Sequence, residues 1–185
     1  QFTTVSNCST IHNYSGNNKI ENGNLVIDAT GNYDAGCAIP VGKYENFTLK
    51  LRYKFTEGGW AGVSFGKDEA TGGNKAVIIT YPGNVAHLFY GGALSEAVVV
   101  GTADAEGYIT LNLTVKNNIV TWNFGGESVS YAVAGDVDLT GYILLCAANE
   151  IAYFDYVEIT VIEDEPETPV EPEIPANPEI STGAG

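Results

Sequence analysis

Apolar residues recur at every second position of this chain, in short runs that close on Gly, Asn or Asp. Phe47, Leu49, Leu51, Tyr53 and Phe55 alternate with Thr48, Lys50, Arg52 and Lys54, and Leu111, Leu113 and Val115 alternate with Thr110, Asn112 and Thr114. A period of two sends alternate side chains to opposite faces of a strand, so each segment is predicted as a strand with one apolar face. Ala61 to Phe65, Ala76 to Tyr81, Ala86 to Tyr90, Val98 to Val100, Ile119 to Phe124, Tyr142 to Ala147 and Ile151 to Val161 supply further runs. Gly58-Gly59, Thr71 to Asn74, Pro82-Gly83-Asn84, Gly91-Gly92, Lys116-Asn117-Asn118 and Gly125-Gly126 separate them with turn chemistry. No helical repeat of comparable length occurs. About ten to twelve strands in a domain of this size specify an all-β, antiparallel sandwich or barrel.

The composition changes after Ile162. The last 23 residues hold 7 acids, no Lys or Arg, and 5 of the 7 prolines. Residues 1–162 are therefore read as the folded domain, and 163–185 as an acidic Pro-rich tail or linker. Pro166, Pro169, Pro172, Pro175 and Pro178 recur at every third position, the repeat of a polyproline II helix. An extended rod over that span reaches about 37 Å, at about 3.1 Å per residue. It reads as a spacer or as a docking strip. The segment from Asn177 to Gly185 loosely resembles the sorting signals cleaved by sortases, with the stub of a lipid-anchor site or a link to a further module as other readings.

A net charge of −15, with 8 Lys+Arg against 23 Asp+Glu, argues against a nucleic-acid partner, whose phosphates need clustered cations. No apolar run approaches the roughly 20 residues of a membrane helix, so membrane insertion is not expected. The chain begins at Gln1 and carries sequons at Asn7, Asn13, Asn46 and Asn112, which together suggest a processed chain, extracellular or at the cell surface. Glycosylation at any of the four requires an exposed asparagine. Of three cysteines, Cys8 and Cys37 flank the first predicted hairpin region, and a bridge between them would contribute about 3–4 kcal/mol. Cys146, inside an apolar run, reads as a small buried hydrophobe.

The order of segments also carries a resemblance. Ile20 to Ile27 contains Asn22-Gly23-Asn24-Leu25; Tyr44 to Phe55, Gly59 to Phe65, Gly141 to Leu145 and Phe154 to Ile159 follow. Together they resemble the concanavalin A-like lectin/glucanase superfamily, closest to its laminin-G-like and 3-keto-disaccharide hydrolase-type jelly rolls. The resemblance covers about 140 residues and implies a jelly-roll sandwich. Glucan-cutting members carry a Glu-x-Asp-x-x-Glu strand that supplies paired carboxylates; that strand is missing here, so no catalytic residue is expected. No Gly-x-Ser-x-Gly elbow is present either.

Binding by such folds uses aromatic faces, because sugar C–H faces match the ring quadrupole. Trp60, Tyr81, His87 and Tyr90 are the candidate carbohydrate platform. Trp60 has the parity opposite to Ala61, Val63 and Phe65 and should leave the core, whereas Trp122 reads as core. The resemblance further implies a possible structural calcium, for which Asp155 with Asp28, or Asp34 and Glu21 nearby, could supply oxygens. Lys50, Arg52 and Lys54 put three of the eight basic residues on one strand face over about 13 Å. That row suits an acidic sugar, or the acidic tail of a neighbouring copy. Three functional readings follow, the last of them a glycosidase that lacks a recognisable paired-carboxylate strand. The first is a noncatalytic extracellular carbohydrate-binding module with a Pro/Glu spacer; the alternative is a structural subunit of a filament or assembly whose tail docks on its neighbour.

Overall fold

Four turns show why the strands stop where they do. Asn22-Gly23, Gly83-Asn84, Gly91-Gly92 and Asn117-Asn118 all have positive φ, between 49° and 82°. Three of these pairs are two-residue hairpin loops, the kind that consecutive left-handed residues build, while Gly83-Asn84 follows Pro82 in a three-residue loop between Tyr81 and Val85; Gly and Asn enter the left-handed region at the least cost. In a computed structural model, residues 17–32, 35–38, 43–56, 58–67 and 75–163 are described. They form thirteen strands: β1 (Asn17–Glu21), β2 (Asn24–Asp28), β3 (Ala35–Ala38), β4 (Phe47–Phe55), β5 (Trp60–Lys67), β6 (Ala76–Tyr81) and β7 (Val85–Tyr90), then β8 (Ala93–Val100), β9 (Ile109–Lys116), β10 (Ile119–Asn123), β11 (Val129–Ala132), β12 (Tyr142–Ala148) and β13 (Ile151–Val161). None of the described residues forms a helix long and apolar enough to cross a membrane.

All pairings are antiparallel. One sheet has seven strands in the order β1-β2-β13-β4-β9-β10-β11, and the other has six in the order β3-β12-β5-β6-β7-β8. The two sheets pack face to face as a sandwich. Two strands went unread in the sequence, β3 and β11. Each has four residues and lies at a sheet edge, where small or polar side chains leave no periodic signal.

The predicted apolar faces meet between the sheets. Phe47, Leu49, Leu51 and Tyr53 of β4 face Ala61, Val63 and Phe65 of β5 within one core cluster, all at most 2 % exposed. Phe47 meets Phe65 edge-on at 6.1 Å, and Tyr53 stacks on Phe154 at 5.8 Å. Trp122 is fully buried as expected, and its indole Nε1 donates to the Ala86 carbonyl on the opposite sheet at 3.4 Å.

A second polar bolt crosses the core, where the Tyr53 hydroxyl and Thr80 Oγ1 share a hydrogen bond at 2.5 Å. Burial pushes the Tyr53 phenol well above its ordinary range, because a phenolate there would be stripped of water. Stability from the neutral phenol is complete below the unfolded value near pH 10. It declines above that, by about 1.4 kcal/mol per pH unit, as only the unfolded chain ionises. Tyr53→Phe should cost about 1–2 kcal/mol at neutral pH by stranding Thr80. It should also flatten the alkaline decline in urea titrations between pH 8 and 11; equal slopes for the two proteins would count against this assignment.

Candidate functional site

The six-stranded sheet has a second face, turned away from the core. Register places Gly62 and Ser64 of β5 beside Ile79 and Val77 of β6, and those beside His87 and Phe89 of β7. Val77, Ile79 and Cys146 form a separate small apolar cluster here, with Trp60, Tyr81 and Phe89 packed against it. Cys146 is 4 % exposed, as a small hydrophobe should be. Trp60 has thus left the main core, as its parity predicted, and is half-buried beside Tyr81. Tyr81 meets the His87 ring edge-on at 6.2 Å, and His87 Nδ1 lies 3.1 Å from the Ser95 carbonyl oxygen. The ring is thereby oriented, with Nε2 at its other edge.

Why the face stays shallow is read from Gly62. A Cβ there would lie 1.8 Å from the Ile78 carbonyl oxygen, so the position excludes every larger residue. The result is a flat floor between aromatic rings. Alternation along β8 carries Leu94, Glu96, Val98 and Val100 onto the same outer side, and Glu96 is the one carboxylate that strand alternation places there among the described residues. Paired-carboxylate chemistry needs two.

Trp60 is aimed by a corner that sequence reading missed. Three crossings between the sheets, after β2, β4 and β12, converge at one end of the sandwich, and Glu150, only 2 % exposed, ties them together. Its Oε2 accepts from the Gly58 and Gly59 amides at 2.9 and 3.1 Å. Its Oε1 accepts from the Ile151 amide at 2.8 Å and from the Thr56 hydroxyl. Its backbone oxygen accepts from Ala29 at 2.8 Å. Neighbouring Asn149 donates Nδ2 to Gly58 O and accepts from the Gly31 amide. Gly59 has no space for a Cβ, which would sit 1.8 Å from the Ala148 carbonyl oxygen. The residue before Trp60 is therefore held from two sides. The only signal available in sequence was a charged residue between two long apolar runs.

Tyr90 is corrected. It pairs with buried Ala76, turns toward the main core and meets Tyr131 of β11 at 6.2 Å, so it does not share the face of Trp60, Tyr81 and His87. The strand bulge between His87 and Phe89 is on the partner side and leaves this parity unchanged.

The basic row is also changed by its surroundings. Lys50, Arg52 and Lys54 do share the outer face of the seven-stranded sheet, but Arg52 is already enclosed by Asp155, Asp104 and Glu106, at 2.5, 2.6 and 2.7 Å. Those bonds, from Glu106 and Asp104 first, raise the guanidinium further above its usual range; in return Arg52, with the Tyr108 amide next, holds the Asp104 carboxyl below the usual range. An incoming acidic strip finds no open guanidinium.

Calcium does not fit Asp155 and Asp28. Asp155 is bonded to Arg52, while Asp28 accepts from the Thr30 amide and pairs with Ile151, four residues from Asp155 along β13. Among the described residues no three His, Cys, Asp or Glu side chains gather as a metal site. Where Asp104, Glu106 and Asp155 converge, Arg52 takes the place a cation would hold.

Of the sequons, Asn112 faces outward from β9 and bonds Asn123, as alternation predicted. Asn46 is 8 % exposed and its Oδ1 accepts from the Asn117 amide at 2.9 Å, so the exposure that a glycan requires is not met there. Asn7, Asn13, Cys8, the Cys37 side chain, Asp34 and the tail from residue 164 lie outside the described residues.

No family model matches the chain, and no curated protein sequence does. Solved structures match its fold. The carbohydrate-binding module CBM66 from Bacillus subtilis superposes with a TM-score of 0.63 at 13 % identity, covering 83 % of this chain and 94 % of that one. Alginate lyase A1-II', a member of polysaccharide lyase family 7, gives 0.55 at 12 % identity, covering 80 % and 83 %. The exoplasmic/lumenal domain of VIP36, in its Ca2+/Man3GlcNAc-bound form, gives 0.55 at 11 % identity, covering 86 % of each chain. Noncatalytic and catalytic proteins therefore share this architecture. With two antiparallel sheets in this order and these neighbours, the chain has the concanavalin A-like jelly-roll fold.

Proposed function

We propose that this chain is a noncatalytic, extracellular or cell-surface module that binds carbohydrate on the outer face of its six-stranded sheet. The observation that carries the reading is an aromatic surface placed outside the core. Trp60 and Tyr81 flank a glycine-flattened floor, with His87 at its border. Sugar rings present C–H faces that match aromatic π-faces, and the His87 edge can bond a hydroxyl. Similarity to a carbohydrate-binding module and to a domain solved with Man3GlcNAc supports the substrate class. That strand alternation places a single carboxylate on this face among the described residues supports binding without hydrolysis by a carboxylate pair. On this reading the Pro/Glu tail is a spacer. The alternative, an assembly subunit whose tail docks on a neighbour's basic row, is less well supported because Arg52 already holds three carboxylates.

The test is a glycan array followed by calorimetric titration of the best ligand. Trp60→Ala and Tyr81→Ala should each weaken binding at least tenfold, about 1.4 kcal/mol, while Tyr90→Ala, on the other side of the sheet, should bind normally. Unchanged affinity of a folded Trp60→Ala protein would refute the assigned face. Release of reducing sugar from the bound glycan would refute the noncatalytic reading.

A further inference from the structure

The seven-stranded sheet carries a polar cleft of about 390 Å³ at its β1 end, lined by Glu21, Asn22, Asn24, Lys54, Tyr108 and Tyr153. Its construction follows from register. Lys19 of β1 lies opposite Val26 of β2, Val26 opposite Tyr153 of β13, and Tyr153 opposite Lys54 of β4. Glu21 faces Asn24 two positions along the same hairpin. One wall is the tip of the β1–β2 hairpin. The other is Tyr108, on the loop that precedes β9.

That loop is held in place. Asp104 Oδ1 accepts from the Glu106 and Tyr108 amides at 2.9 and 3.0 Å, and Asp104 Oδ2 is clamped by Arg52. Tyr108 is 8 % exposed and donates its hydroxyl to Asn24 Oδ1 at 2.9 Å, closing the cleft across the sheet. Arg52 and Lys54 lie 4.1 and 4.2 Å from the Tyr108 ring centroid. Arg52 is thus a positioning residue whose charge is consumed locally. Lys54 differs from it. Its ammonium bonds the Glu106 carbonyl oxygen at 3.2 Å, lies 5.9 Å from the Tyr153 ring and has no carboxylate within ion-pair distance among the described residues. With one N–H on the Glu106 carbonyl and the ammonium also over the Tyr108 ring, at least one N–H donor remains for a ligand.

We propose that this cleft is a second saccharide site, selective for an uncharged sugar, with Tyr153 as the stacking ring and Lys54, Asn24 and Glu21 bonding hydroxyls. Charge selects the ligand class. Glu21 is paired with Lys19 at 2.8 Å, and Arg52 is outnumbered by Asp104, Glu106 and Asp155, so these groups together with Lys54 carry one net negative charge and give a uronate no net attraction, while Lys54 at the centre repels a cation. Vicinal hydroxyls donate and accept together, which satisfies an ammonium and a carboxylate at once. The proposal goes beyond the function above and shares no residue with it, so the module would be bivalent, with one site on each sheet.

The experiment is amide chemical-shift mapping of the full chain, titrated separately with maltose, cellobiose, lactose, sucrose and digalacturonate up to tens of millimolar. At least one neutral disaccharide is expected to shift Asn24, Tyr108 and Tyr153. Tyr153→Ala and Lys54→Met should each weaken that response about tenfold while the rest of the spectrum keeps its folded dispersion. Trp60→Ala should leave it intact, which separates this site from the one above. Shifts confined to the Trp60 face, tighter binding of digalacturonate, or no response to any of the five sugars would each overturn the proposal.

Discussion

Glu150→Ala is expected to destabilise the domain by about 3–4 kcal/mol and to lower its melting temperature by about 10 °C. The buried carboxylate accepts from three backbone amides and one hydroxyl, and these serve two of the three crossings between the sheets. Alanine leaves those donors without an acceptor where water reaches them poorly. Each such loss costs about 1–3 kcal/mol, and partial opening of the corner recovers some of the sum. Glu150→Gln should fall between, since its amide keeps one acceptor oxygen but turns an NH2 toward other donors. Because Gly58 and Gly59 immediately precede Trp60, the alanine variant should also blunt glycan binding before it unfolds. Calorimetry together with titration checks both parts. A melting temperature within about 2 °C of the parent would show that the corner is held by its backbone contacts alone.

Trp122→Ala should be comparably severe, at about 3–5 kcal/mol. The indole is fully buried between β9–β10 and the six-stranded sheet, and it is the largest of the fully buried side chains. Its removal leaves a void that neighbouring strands, fixed by their ladders, can only partly fill. It also removes the donor that bonds Ala86 O across the core. Trp122→Phe should recover about half of the loss by filling most of the volume without that bond. Guanidinium unfolding curves read the difference directly. A shift of less than about 1 kcal/mol for Trp122→Ala would mean that the sandwich collapses onto the space more freely than its packing implies.

These two residues differ in how readily a sequence shows them. Trp122 is in register with Val120 and Phe124, so its burial was legible from parity. Glu150 belongs to no period. Its role depends on Thr56, Gly58 and Gly59, more than 90 residues away, and on the chain passing between sheets at one end. Trp60 was placed outside the core for the same reason that Trp122 was placed inside it. Tyr90 defeated the reading because aromatic character says nothing about face, and its parity, set by pairing with Ala76, turns it toward the core. The Asp28 and Asp155 pair failed similarly. Two acids in neighbouring strands make a metal site only if register brings them level, and here it sets them four residues apart along β13.

Most strands, the hairpin positions, the inward set of apolar residues and the all-β antiparallel class rest on interactions between residues a few positions apart, so local alternation and turn chemistry were enough to reveal them, while the choice of a sandwich over a barrel came from the resemblance carried by the order of segments. Partnership between distant side chains rests on strand order and register, which alternation leaves open because every register preserving parity looks the same in one dimension. Hence the row Lys50, Arg52 and Lys54 was visible as a line of charge, while its division into a saturated Arg52 and an available Lys54 emerged only when the loop bearing Asp104 and Glu106 folded over β4.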